Sequence, residues 1–200
     1  MAAAAAAAAA ARAAPQSDGD HLLKVLFLDV DGVLCLNEYA TLEPALLRNL
    51  ALVTESTGCV VVVSSDWRMF PSKLRELTRA LRTRGVRVIG KTRPTTQGAA
   101  DERPNEIKHF LASFRARMRR QGKPFRVQRW CAVDDRNLPV EEGGEMCGPS
   151  RFVRTDVKTG LTFDVAMKII NALNRRRPKR SGDRDSGQDC ETGRTALPEA

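Results

Sequence analysis

Val25-Leu26-Phe27-Leu28-Asp29-Val30-Asp31-Gly32-Val33-Leu34 carries an apolar run of strand character into two carboxylates spaced Asp-x-Asp, and then into a glycine. Alternation along a strand sends residues i and i+2 to the same side. Asp29 and Asp31 therefore emerge together at the carboxyl end of a buried strand. Two carboxylates there are costly unless they bind a cation or do proton chemistry. In open α/β sheets that end of the strands is where ligands sit.

Working outward, a regular alternation of elements begins at Lys24. Lys24–Leu28 reads as the first strand. Leu46, Leu50 and Val53 repeat at helical spacing and predict a helix over Glu43–Thr57, with Gly58 as its stop. Cys59–Val63 is a continuous β-branched run, the pattern of a strand buried on both faces. Pro71–Arg84 reads as a helix ended by Gly85, and Val86–Ile89 as a third strand. Ile107, Phe110, Phe114 and Met118 mark a helix over Asn105–Arg120. Gln128–Val133 and Arg151–Arg154 complete the strands, and Phe163–Asn174 is the last helix. Strands alternating with helices predict a three-layer α/β fold with a mostly parallel five-stranded sheet.

The second strand ends in Ser64-Ser65-Asp66-Trp67-Arg68. A hydroxyl from Ser64 or Ser65, with free backbone N–H groups at a helix start, suits phosphate binding; the same serines also suit an ordinary N-cap. The fourth strand ends in Val133-Asp134-Asp135, a second carboxylate pair at the same sheet edge. Four carboxylates from two strand ends demand a counter-charge, and Mg²⁺ fits as a hard cation with oxygen ligands. The metal candidates are thus Asp29, Asp31, Asp134 and Asp135. A protein cation is expected to offset a transferring phosphoryl group. Lys91, Arg103 and Lys108 are the candidates.

Two hundred residues suit one domain, here expected over 21–174 between a disordered, alanine-rich leader (1–20) and a disordered basic, polar tail (175–200). Lys plus Arg is 33 against 24 Asp plus Glu, and the excess of +9 favours anionic partners such as nucleic acid. The five cysteines form no CxxC pair, and with only His21 and His109 beside them a zinc site is not expected. Cys59 and Cys131 lie in apolar runs and read as reduced, buried thiols of an intracellular protein. No apolar run reaches membrane-spanning length. The leader lacks acidic residues before Asp18, a weak mark of an organelle transit peptide, but lacks Arg/Ser enrichment too. Arg175-Arg176-Arg177-Pro178-Lys179-Arg180 reads as a nuclear import signal, a nucleic-acid arm or a solvated charge run. Cytoplasm, nucleus and organelle all stay open.

On these residues the chain resembles the haloacid dehalogenase-like (HAD) superfamily. Asp-Val-Asp-Gly-Val-Leu matches its first motif, Ser64 or Ser65 its second, and Asp134-Asp135 its fourth, over residues 24–174. Ser-Ser-Asp-Trp-Arg, Arg103-x-x-Glu106-Ile107 and Phe152-Val153-Arg154-Thr155-Asp156…Gly160-Leu161-Thr162 are similar to the small HAD domains of RNA-repair proteins. The resemblance implies that Asp29 attacks phosphorus and becomes an aspartyl-phosphate. It implies that Asp31 protonates the leaving oxygen and then activates water. Ser64 or Ser65 would hold the phosphoryl group. Asp134 would ligate Mg²⁺ with Asp29 and the Asp31 carbonyl, supported by Asp135. The departure is the third motif, where the superfamily usually has lysine: here Arg103 stands at the matching helix start, with Lys91 as the substitute.

Enzymes of this fold usually carry a cap domain, and the segments 35–42 and 90–104 are too short to build one. An open site excludes water poorly around a small metabolite and leaves room for a large substrate. The cation-rich stretch Arg115–Arg126 points the same way, with Arg68 to hold a backbone and Trp67 to stack on a base or, the commoner use of an aromatic, to pack. The leading expectation is a Mg²⁺-dependent phosphatase of a phosphorylated macromolecule, RNA or DNA ends foremost. The alternatives are a phosphatase of nucleotides or small phosphoesters, and a non-enzymatic nucleic-acid-binding module.

Overall fold

The structure is a computed structural model and describes residues 21–94, 102–123 and 125–175. Its strands are β1 (His21–Leu28), β2 (Val60–Val63), β3 (Val88–Lys91), β4 (Phe125–Asp134) and β5 (Phe152–Arg154), in the spatial order β3-β2-β1-β4-β5. Every pairing is parallel, so the expected mostly parallel sheet is wholly parallel. The helices are α1 (Pro44–Thr57), α2 (Pro71–Arg82), α3 (Arg103–Arg120) and α4 (Phe163–Asn174). Short 3₁₀ turns cover Asp66–Met69, Leu138–Val140 and Gly144–Met146.

Alternate residues of β1 enter different cores, as the two-residue strand period requires. Leu26 and Leu28 join Leu50 and Val53 of α1, Leu77 and Leu81 of α2, and Ile169 and Leu173 of α4. Val25 and Phe27 face Ile107 of α3 with Trp130 and Leu138. Phe110 and Trp130 set their rings edge-on to Phe27, with centroids 5.6 and 5.8 Å away. The result is three layers: α1, α2 and α4 on one face, α3 on the other. The chain runs outward from β1 to β2 and β3, then returns to the far side of β1 as β4. That reversal makes the carboxyl ends of β1 and β4 the switch point where open sheets bind ligands.

Two boundaries move in ways that matter to the site. The third strand, expected over Val86–Ile89, begins at Val88 and runs through Lys91. Val86 closes α2 instead: Gly85 takes φ +72°, and the Val86 N–H donates back to the Leu81 carbonyl at 3.1 Å. That is the long-range bond of a glycine-ended helix, with an apolar residue packed behind it. The third helix begins at Arg103, not Asn105, with Pro104 in its first turn. β4 is longer than expected at both ends.

No cap domain stands over the sheet among the described residues. The segment from Asp29 to α1 holds only turns and one bridge between Asp31 and Cys35. No helix among the described residues is long and apolar enough to cross a membrane. Cys35, Cys59, Cys131 and Cys147 are buried and unpaired. The leader, residues 176–200 of the tail, and Cys190 lie outside the described residues.

Candidate active site

Register brings the functional side chains level. Leu28 lies opposite Val63 of β2 and Val133 of β4, and Val63 lies opposite Lys91 of β3. The ladder continues one residue further: Asp29 N–H donates to the Val133 carbonyl at 3.1 Å, and Ser64 N–H to the Leu28 carbonyl at 2.8 Å. Asp29, Ser64 and Asp134 are therefore adjacent strand ends, fixed by backbone bonds before any side chain is considered.

Asp29 is 5% exposed and Asp134 2% exposed. With half-buried Asp135 they bring carboxylate oxygens within 4.8 Å of one another. Arg103 Nη1 donates to Asp29 Oδ1 at 3.0 Å and to Asp134 Oδ2 at 3.1 Å, and also to the Ser64 carbonyl. Its Nη2 reaches Asp66 Oδ1 at 3.4 Å. Burial pushes both inner carboxyls above the usual range, against the pull of Arg103; Asp134, also repelled by Asp29, is pushed up to about 8. Burial works against the Arg103 charge too, but Asp29 and Asp134 outweigh it and hold the guanidinium protonated. Three carboxyl groups converging beside one guanidinium, two of them pushed toward holding protons, form an all-oxygen donor set that fits a hard divalent cation taking the protons' place.

The two serines separate. Ser65 is fully buried; its Oγ accepts the Trp67 N–H at 3.3 Å and is hydrogen-bonded to Asp29. It is both the cap of the Asp66–Met69 turn and a partner of Asp29. Ser64 Oγ is buried and has no hydrogen-bond partner. A buried hydroxyl of that kind costs on the order of 1–3 kcal/mol, and an arriving phosphoryl oxygen would satisfy it.

Asp31 is exposed, and its carboxylate stands outside the cluster of three that could share a metal. Trp67 Nε1 donates to both its oxygens, at 2.9 and 3.0 Å. Of the two uses open to Trp67, stacking on a base and packing, the structure shows packing: it is 1% exposed, with Lys73 Nζ 5.2 Å from its ring centre. It offers no open face and instead orients Asp31. Arg68, expected to hold a substrate backbone, is buried too. It binds Glu106 Oε1 and, at 3.2 Å, Asp66 Oδ1. Lys91 Nζ donates to the Arg68 carbonyl at 3.0 Å, and Lys108 is exposed on α3. Of the three candidate cations, Arg103 alone contacts the carboxylates.

Sequence reasoning gave no role to the residues that brace this site. Glu106 takes Arg68 on one oxygen and the buried Thr92 hydroxyl on the other, at 3.2 Å. Burial raises its carboxyl above the usual range, against the attraction of Arg68. Thr155 Oγ1 donates to the Gly32 carbonyl at 2.9 Å, and Leu161 N–H donates to the Val33 carbonyl at 2.9 Å. The stretch after β5 thus clamps the loop that follows Asp31. Gly32 has φ +68°, and a Cβ there would lie 2.7 Å from Asp135 atoms. Only glycine serves both the turn and the approach of the second acidic pair. The signal for these roles was present as the Arg-x-x-Glu and Thr-Asp…Gly-Leu-Thr spacings, but spacing names no partner.

Buried carboxylates from two strand ends at a switch point, with a hydroxyl pair and an arginine between them, define a HAD-like domain with phosphohydrolase-type chemistry. The chain belongs to the family described as the HAD domain in Swiss Army Knife RNA repair proteins, whose model matches residues 25–166. No curated protein matches the chain. HAD domains typically use Mg²⁺, and Asp29, Asp134 and Asp135 form a cluster able to bind one.

Proposed function

We propose that the protein is a Mg²⁺-dependent phosphohydrolase that works through an aspartyl-phosphate on Asp29, with a phosphorylated nucleic-acid end as substrate. The observation that carries this reading is Asp29 itself. It is a buried carboxylate hydrogen-bonded to Arg103, held beside Ser65 and grouped with Asp134 and Asp135.

In the first step an Asp29 oxygen bonds to phosphorus as the bond from phosphorus to the leaving oxygen breaks. Asp31 gives that oxygen its proton. In the second step Asp31 takes a proton from water, the water oxygen bonds to phosphorus, and the bond to Asp29 breaks to release phosphate. One carboxylate serves as nucleophile and the other as acid then base. Ser64 Oγ and the Arg103 guanidinium hold the phosphoryl oxygens, and arginine suits this because it can donate two parallel bonds. Trp67 keeps Asp31 turned toward the leaving group. Asp29, Asp134 and the half-buried Asp135 would hold the metal, which supplies charge neutralisation for the phosphoryl oxygens.

The absence of a cap among the described residues supports a large substrate, one that covers the open site itself. The test is phosphate release with Mg²⁺ on phosphorylated oligonucleotides, nucleotides, sugar phosphates, phosphopeptides and an aryl phosphate, wild type beside Asp29→Asn. Release that favours oligonucleotides and is lost in the variant is expected. Preference for free nucleotides would overturn the substrate class. No release in any column from folded, metal-supplied protein would overturn the hydrolase reading and favour a binding module.

A further inference from the structure

A groove of about 470 Å³ lies between β3 and α3, lined by Lys91, Arg93, His109, Arg117 and Arg120 around Phe110. Its α3 residues recur at helical spacing on one side of the helix, so the stripe from His109 to Arg120 runs about 16 Å. Arg93, Arg117 and Arg120 are exposed, and no carboxylate among the described residues lines the groove. The floor is shaped by packing: Phe110 and Phe114 stack with centroids 6.0 Å apart, and Gly90 lets the Phe110 ring lie against β3, where a Cβ would meet it at 3.2 Å. Arg117 rests over the Phe114 ring at 5.5 Å, which fixes where its charge stands.

Two elements that line the groove also reach the site. Lys91 lies opposite Val63, one residue before Ser64, and its ammonium touches the Arg68 carbonyl. α3 delivers Arg103 to Asp29 at its first turn and carries the cation stripe along its later turns. We infer that this groove is the track for a single-stranded nucleic acid whose phosphorylated end enters the site, its backbone phosphates lying along Lys91, Arg93, Arg117 and Arg120. The inference deepens the hydrolase reading by giving the substrate a path.

A row of cations spaced along a line matches a polymer with a charge at every repeat. A compact anion would need them converged on one point. The groove is too small to enclose a duplex. Its half-buried Phe110 edge gives a base an apolar contact beside the charged rows. An acidic peptide offers charge but neither the planar bases nor the regular spacing.

The test uses the full chain. Fluorescence anisotropy compares wild type, Arg117→Gln/Arg120→Gln, and the control Arg75→Gln/Arg82→Gln on α2, which removes equal charge elsewhere. The probes are single-stranded oligonucleotides of increasing length and a poly-glutamate peptide. Each lost phosphate contact lowers the slope of log K against log salt by about 0.7 for single strands. The groove variant is expected to lose about 1.4 in slope, with roughly 10-fold weaker oligonucleotide binding, while the control stays within about twofold. Release from an aryl phosphate, too small to reach the groove, is expected to be unchanged. Equal losses in both variants, unchanged oligonucleotide binding in the groove variant, or poly-glutamate binding as tight as the oligonucleotide's would each overturn the track. Binding is read without turnover, so absent catalysis with groove-dependent oligonucleotide binding would sink the hydrolase reading and leave the track standing.

Discussion

Trp67 Nε1 holds both oxygens of Asp31, and a change to phenylalanine keeps most of the ring's packing while removing that donor. A hydrogen bond to a charged group contributes about 1.5–3 kcal/mol, and its loss frees an exposed side chain to turn away. In the proposed mechanism the cost falls on proton delivery to the leaving oxygen. A poor leaving group such as an alkyl phosphate needs that proton; a nitrophenyl phosphate barely does. Trp67→Phe is therefore expected to lower kcat on the alkyl ester about 10-fold or more and leave the aryl ester within about threefold. Equal losses on both esters would mean that Trp67 supports the fold and not the acid. The sequence leaves Trp67 between stacking on a base and the commoner use of an aromatic, packing. Nothing in Ser-Ser-Asp-Trp-Arg says that Asp31, 36 positions earlier, waits for its N–H.

The Asp66–Met69 turn and α3 are joined by the buried Arg68–Glu106 pair, and Asp66 links both to Arg103. Removing one partner of a buried pair costs about 3–5 kcal/mol where the other charge is left alone; Arg68 keeps Asp66 at 3.2 Å, so the loss falls toward or below the lower end of that range. Glu106→Gln is expected to lower stability to chemical denaturation by that order. The double change Arg68→Met/Glu106→Leu is expected to recover much of the stability but not the turnover, because Asp66 and Arg103 lose their bracing. Recovery of turnover along with stability would show that the pair only holds the fold. The elements themselves were largely legible: β-branched runs, leucine spacing and glycine stops placed all five strands and four helices in order. The misread boundaries share a cause. Val86 is apolar and next to a strand, but a backbone bond to Leu81 makes it the end of a helix. Arg103 and Pro104 look like loop residues, yet proline suits a first helical turn and the carboxylates draw the arginine inward. Residue type alone could not choose Arg103 over Lys91, because the choice rests on which strand end each one faces.

For the whole molecule, the buried acids couple folding to pH and metal. Asp29 and Asp134 bind protons more tightly folded than unfolded, since burial raises both and takes Asp134 to about 8. Their contribution to stability is complete below the ordinary aspartate pKa of about 4, and is lost as pH rises through the folded value. A divalent cation bound at these carboxylates would replace those protons. Mg²⁺ is expected to raise Tm more at pH 8 than at pH 5, measured by thermal unfolding with and without the metal. An equal effect at both pH values would place the metal elsewhere. The fold's open edge belongs to this scale as well: no cap covers the sheet among the described residues.

The most direct test of the account is to quench turnover with acid and map the phosphoryl group by mass spectrometry. The expected result is a phosphoryl adduct on the peptide holding Asp29, labile to hydroxylamine and absent in Asp29→Asn along with activity. Turnover with no adduct, and activity retained in Asp29→Asn, would contradict it.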